Sequence, residues 1–288
     1  MNCSLRAAAQ FYLLSFAITL CGFSTDLRAP EALIPREHHE WGRFPVGSWK
    51  KVRLVTEKLN DQGHPVSRNS SETTTTVVGI DRSSVQLRVE TVVDLAGKQF
   101  PKQPQLLTQG FAGEVNPDPQ NIERVVRRVG PDDIVIDGQR MQSEVQSISV
   151  VQPRCRWFSR IHYNRNVAPY VLRREINAYD PNGGQPQYQT TVEVTALDMP
   201  HEIGGVVRPT SHVRTVHTTP TGKTITEEVR CENVPGGFIS HTSKQLDAEG
   251  RQIGRSTLEL VEYHVPQQTR PVEPRRTFGR WQKWRWSR

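Results

Sequence analysis

Apolar and polar residues alternate over short stretches along most of this chain. Val85, Leu87, Val89, Thr91 and Val93 are interleaved with Gln86, Arg88 and Glu90, a period of two that sets one row of side chains against a core and the other in water. Similar runs come in pairs joined by turn residues. Val52 to Leu59 passes through Asn60-Asp61-Gln62-Gly63 to the Thr-rich run Glu72 to Ile80, and Tyr170 to Tyr179 passes through Asp180-Pro181-Asn182-Gly183-Gly184 to Tyr188 to Leu197. His212 to His217 turns at Thr219-Pro220-Thr221-Gly222 into Thr224 to Cys231, and Phe238 to Leu246 turns at Asp247-Ala248-Glu249-Gly250 into Gln252 to Val265. Gly and Asn supply the positive φ that hairpin turns need, so each pair is a predicted hairpin.

One stretch reads differently. Asp118 is a capping residue, Pro119 suits a first helical position, and Ile122, Val125, Val126 and Val129 fall at helical spacing before Gly130-Pro131. This predicts one helix near Pro119 to Val129. The expected fold is therefore mainly β: a large antiparallel curved sheet, or an open half-barrel of consecutive hairpins, with about one packed helix. Helical stretches between strands are missing, which disfavours a parallel α/β architecture. No Gly/Ser-rich or Pro-rich linker divides residues 46–265, which read as one domain after a polar linker at 25–45.

The first 24 residues carry the most specific signal. Arg6 precedes an apolar run from Phe11 to Leu20, about 10 residues, the size of a signal-peptide core and too short to span a bilayer. Gly22 and Ser24 are small residues at the positions a signal peptidase reads, so cleavage is expected after Ser24, with the mature protein in the periplasm or cell envelope. Cys21 offers an alternative, a lipid-modified cysteine, but Leu20 stands where a lipobox wants a small residue. An exported compartment permits a disulfide between Cys155 and Cys231, closing a loop of about 76 residues, worth ~4 kcal/mol by chain entropy.

The formal charge of +7 is concentrated at the end of the chain. Residues 266–288 hold seven basic residues against one acid, Glu273, while the body is close to neutral. That distribution gives the body no footprint for nucleic acid. Within the tail, Arg280, Trp281, Lys283, Trp284, Arg285 and Trp286 interleave cations with indoles. Such a pattern suits an anionic membrane surface or envelope polymer, through Coulombic attraction plus interfacial burial.

Catalytic signatures are missing. Phosphate-loop, dinucleotide, zinc-protease and Gly-x-Ser-x-Gly patterns are absent from the sequence, and no cofactor is implied. Ser48-Trp49-Lys50-Lys51 matches Ser-x-x-Lys without the helix and companion motifs such an enzyme requires. His38-His39-Glu40 reads as exposed linker, and His201-Glu202 as a solvated loop. His212 and His217, five apart on a predicted strand, face opposite sides of it and make a poor ligand pair. Glu72, Glu90, Glu193, Glu227 and Glu259 sit mid-strand and read as outward ion-pair partners.

Four stretches resemble a family of uncharacterised exported proteins typical of planctomycete bacteria: 44–49 (Phe-Pro-Val-Gly-Ser-Trp), 167–175 (Val-Ala-Pro-Tyr-Val-Leu-Arg-Arg-Glu), 234–237 (Val-Pro-Gly-Gly) and 255–263 (Arg-Ser-Thr-Leu-Glu-Leu-Val-Glu-Tyr). The resemblance implies export and a β-sheet architecture and brings no activity. More loosely, the layout looks like the half-barrels of periplasmic lipoprotein carriers. Three functions follow as expectations: a non-catalytic envelope or interaction protein first, a carrier of an apolar ligand such as a lipid or acyl chain second, an unrecognised hydrolase third.

Overall fold

The computed structural model describes residues 34–95, 97–111, 123–152, 155–180 and 184–267. The expected leader, the tail from Arg280 to Trp286 and the start of the expected helix lie outside these residues. Among the described residues, after one short 3-10 turn, Arg36–His38, every regular element is a strand. They are β1 (Trp49–Leu59), β2 (Pro65–Ile80), β3 (Ser84–Leu95), β4 (Lys98–Pro101), β5 (Gln105–Gly110), β6 (Glu123–Ile136) and β7 (Gln139–Gln152). The series continues with β8 (Cys155–Tyr163), β9 (Val171–Tyr179), β10 (Pro186–Ile203), β11 (Val206–Thr219), β12 (Gly222–Arg230), β13 (Phe238–Asp247) and β14 (Gln252–His264).

All 14 strands form one open antiparallel sheet in the order β4-β3-β2-β1-β14-β13-β12-β11-β10-β9-β8-β7-β6, with β5 beside β4 on the outer edge of β3. The four predicted hairpins are all present, as β1–β2, β9–β10, β11–β12 and β13–β14. Their turns use the expected chemistry: Asn60 Oδ1 accepts from the backbone N–H groups of Gln62 and His64 at 3.0 and 2.9 Å, and Asp247 Oδ1 accepts from Glu249 and Arg251.

The expected helix is overturned. Val125, Val126 and Val129 belong to β6, paired antiparallel to β7. Gly130-Pro131 does not end an element; the register shifts between Arg128 and Gly130, a bulge where Gly130 takes φ 131°. Two adjacent valines and a third three residues on fit either period, and β-branched side chains are better placed on a pleated surface than in a helix.

Chain reach requires the sheet to curl. Twelve ladder spacings separate the β4/β5 edge from β6, about 58 Å if the sheet were flat. The connection from Gly110 to Glu123 spans about 13 residues and no more than ~47 Å. At the β6 end, β6 meets β10 without being hydrogen-bonded to it. Ile134 and Ile136 of β6 pack there with Leu172 of β9, Val194 of β10 and Val213 of β11. A second cluster, Ile148, Val150, Trp157, Ile161, Tyr163 and Ala178, joins β7, β8 and β9 and takes in Ile34 from the N-terminal segment.

Candidate functional site

Residues 34–48, expected in part to be linker, are instead packed into the domain: Ile34, His39, Trp41, Phe44 and Ser48 are all buried. The exposed reading of His38-His39-Glu40 is corrected here. His39 Nδ1 accepts hydrogen bonds from the backbone N–H groups of Trp41 and Gly42, at 3.3 and 3.0 Å. That acceptor role folds the segment on itself, and burial pushes the imidazole down to about 4, so the ring is neutral. His38 stacks on Tyr170 with ring centroids 4.0 Å apart, and its Nδ1 lies 2.5 Å from the Tyr163 hydroxyl.

Two glycines make the docking possible. At Gly42 an added Cβ would stand 2.8 Å from the Phe111 ring, and at Gly236, where φ is +69°, it would stand 2.4 Å from the Trp41 indole. Trp41 thus lies flat on the Val234–Gly237 turn, which side chains would hold off. Gly236 N–H donates to the Glu40 carbonyl at 2.9 Å, closing the contact.

Beneath Trp41 sits a network of buried charges. Lys50 Nζ donates to the Gly236 carbonyl at 3.2 Å and lies 5.2 Å from the Trp41 ring centre and 5.0 Å from that of Phe238. Burial pushes its pKa down to about 7, against the pull of Glu40. The Arg230 guanidinium stacks 4.1 Å from the Phe238 ring centre. Its Nε and Nη2 reach Glu228 Oε2 at 2.9 and 2.8 Å, and its Nη1 reaches Glu40 at 3.4 Å. Burial raises the pKa of Glu228, with Arg230 opposing. Arg230 is thus paired with two carboxylates in one compact, largely desolvated cluster, the condition under which buried charge is tolerated, while Lys50 beside them is held near its titration point.

At the margin of this cluster a second group ties in the loop before β9. Arg43 lies 5.0 Å over the Tyr170 ring and 3.6 Å from Glu232, and the Tyr170 hydroxyl donates to Glu232 at 3.1 Å. The space left between Glu40, Arg43, Ser211, Arg230, Cys231 and Glu232 is a cavity of about 100 Å³. Cys231 is a buried free thiol. The side chain of its expected disulfide partner, Cys155, lies outside the described residues.

The sequence expectations fare unevenly here. Glu72, Glu90 and Glu227 are ion-paired with Arg53, Arg88 and Arg214. Ser48, just before β1, and Lys51, within it, are three apart and do not share a strand face; Ser48 and Lys50 are the buried ones. His201-Glu202 is paired strand in β10. Lys50, Glu228 and Arg230 went unremarked in the sequence, although Glu228 and Arg230 share a strand face at i and i+2. Among the described residues no group of three or more His, Cys, Asp or Glu is placed to hold a metal ion.

No family model matches the chain, and no curated protein matches it. Among solved structures it is similar to a protein from Bacteroides fragilis described as exported, with a YmcC-like fold, at 10% identity over 76% of this chain and 99% of that one, TM-score 0.28. It is also similar to a protein from Parabacteroides distasonis described as a lipoprotein, at 11% identity over 85% of this chain and all of that one, TM-score 0.27. Likenesses this distant carry no argument about role or location. The resemblances to planctomycete proteins and to lipoprotein carriers gain no support from them.

Proposed function

We propose that this chain is an exported, non-catalytic protein of the cell envelope that works by surface contact. The observation that carries this reading is the filled seat: the chain's own Trp41, with Lys50, Phe238, Arg230 and Glu40 around it, packs against Gly236. The cavity beside it, about 100 Å³, is well short of the roughly 300–1,000 Å³ of small-molecule sites; the roomier cleft of about 410 Å³ is lined by Asp132, Arg160, Arg173 and Glu175, charges that suit neither a lipid nor an acyl chain. The contact partner on this reading is an anionic membrane surface or envelope polymer, met by Arg280, Trp281, Lys283, Trp284, Arg285 and Trp286.

Native mass spectrometry of the protein purified from its own envelope tests the reading. The expected spectrum is the mature polypeptide alone; co-purified lipid at stoichiometric amounts would restore the carrier. In the same preparation, removal of residues 266–288 should abolish salt-sensitive co-sedimentation with anionic vesicles. Equal binding by both forms would count against the tail.

A further inference from the structure

The two edges of the sheet are built differently. One is divided between β4 and β5, four and six residues long, and is interrupted by Pro101, Lys102 and Pro104. Short strands, lysine, proline, charges and bulges are devices that stop an edge from recruiting another strand; on β6 the bulge and the proline, Pro131, are confined to the middle of the strand. The other edge is β6, a single strand of 14 residues, which has no hydrogen-bonded strand on its outer side among the described residues, although it comes close to β10. It is also apolar at the surface: Val129 is 59% and Val135 64% exposed.

The charge order along β6 is antisymmetric about its middle. Arg127 and Arg128 lie before Gly130-Pro131 and Asp132 and Asp133 after it, all exposed, with Val125 beyond the basic pair and Val135 beyond the acidic one. Laid antiparallel against a copy of itself, the strand brings each basic pair to the other's acidic pair and the valine-bearing ends alongside one another. The ladder has two irregularities, the bulge between Arg128 and Gly130 and the missing N–H of Pro131. Both fall at the midpoint, so a two-fold axis there makes the interruptions of the two strands coincide and leaves two regular stretches on each side.

We propose that the chain self-associates through β6, two copies pairing edge to edge and antiparallel about a two-fold axis near Gly130. The inference stands independently of the reading of the tail and of the filled seat. Main-chain hydrogen bonds would supply the affinity and the charge order the register. Arg128, Asp132 and Asp133 already face Glu144, Arg160 and Arg140 within the chain. Their side chains nevertheless remain 73%, 46% and 51% exposed, so a second partner can be added at the solvent side. Because the contact is isologous it uses up both β6 edges and stops at two copies, while the blunted β4/β5 edges remain outside.

Sedimentation velocity of the full mature chain over a range of concentrations tests this. The wild type should show a concentration-dependent dimer that weakens with salt. Arg127→Asp with Arg128→Asp, and separately Asp132→Arg with Asp133→Arg, should each raise the dimer dissociation constant about a hundredfold or more, by setting like charges opposite one another. Mixing the two variants should restore dimers, now mixed ones, as should combining all four changes in one chain. Circular dichroism checks that each variant is folded. If charge reversal unfolds the chain, Val129→Lys, which touches no ion pair, must weaken the dimer instead. A wild type that stays monomeric at hundreds of micromolar, or variants that dimerise as the wild type does and gain nothing on mixing, would overturn the proposal.

Discussion

Along β1, Lys50 is buried between two aromatic rings, whereas Arg53, three residues further on, is 54% exposed against Glu72 at 2.7 Å. The contrast extends to the regions these residues belong to. Around residues 34–48 the sheet is rooted in apolar clusters: Trp41 with Val77, Val85, Leu87 and Phe111 on one side, Ile34 with Trp157 and Ile148 on another. The far halves of β1, β2, β12, β13 and β14 belong to no buried cluster. They are joined by ladders and by cross-strand polar pairs such as Arg255 with Glu57 at 2.5 Å, Thr73 with Thr91 at 3.1 Å and Thr226 with Ser243 at 3.2 Å. One sheet thus combines a root packed in apolar clusters with a blade outside them, in which Leu59, Ser243 and Ser256 are the buried side chains. Strand pairing and cross-strand polar pairs hold most of the blade; apolar burial carries the root.

Three measurements would break or sharpen that contrast. The largest effect is expected from Trp157→Ala: the side chain is 1% exposed, and its removal should cost about 3–5 kcal/mol in urea denaturation. A loss below 1 kcal/mol would mean the root is not where stability resides. Next is a pH effect from Lys50. Its folded pKa of about 7 is below the 10.5 of the open chain, so between these values the unfolded state binds more protons and stability rises with pH. The wild type should gain roughly 3 kcal/mol between pH 7 and 9.5, and Lys50→Met should flatten that rise. The sign is the same for His39, held near 4, in a lower window: its contribution is complete above pH 6.5 and is lost as pH falls toward 4. The smallest effect belongs to the blade, where Arg53→Ala should cost less than about 1 kcal/mol, as exposed pairs do. A larger loss would show that the polar ladders do more than maintain solubility.

Much of the blade was legible in the sequence, because a wet-faced strand advertises itself by alternation and its turns by Asn, Asp and Gly. The root was not. β7 and β8 went unread, although Asp137-Gly138 between β6 and β7, at φ 49° and 75°, is strong hairpin chemistry. Their side chains are buried on both faces in different places, Val145 on one and Ile148 on the other, which blurs the period. Valines at 125, 126 and 129 were compatible with either element, and only pairing to β7 decides between them. The charge network escaped for a different reason: Glu40 and Arg230 meet across 190 residues, and nothing local marks either. Three stretches singled out by resemblance, at 44–49, 167–175 and 234–237, do converge around the docked segment, but their meeting is a property of topology alone.

The pairing of β1 with β14 sets an order of assembly. Among the described strands every other ladder joins elements close in the chain, so β1 to β5 and β6 to β14 are two meanders, each able to zip locally. Only Trp49 to Lys58 against Gly254 to His264 joins them, and that ladder cannot begin until nearly the whole chain is available. Contacts of such long separation make for slow folding. The N-terminal segment crosses the same junction, with Ile34 in the β7–β9 cluster and Trp41 in the β2–β3 cluster. It therefore acts as a clasp over the last seam to close, and the molecule is two half-sheets until both the seam and the clasp are in place.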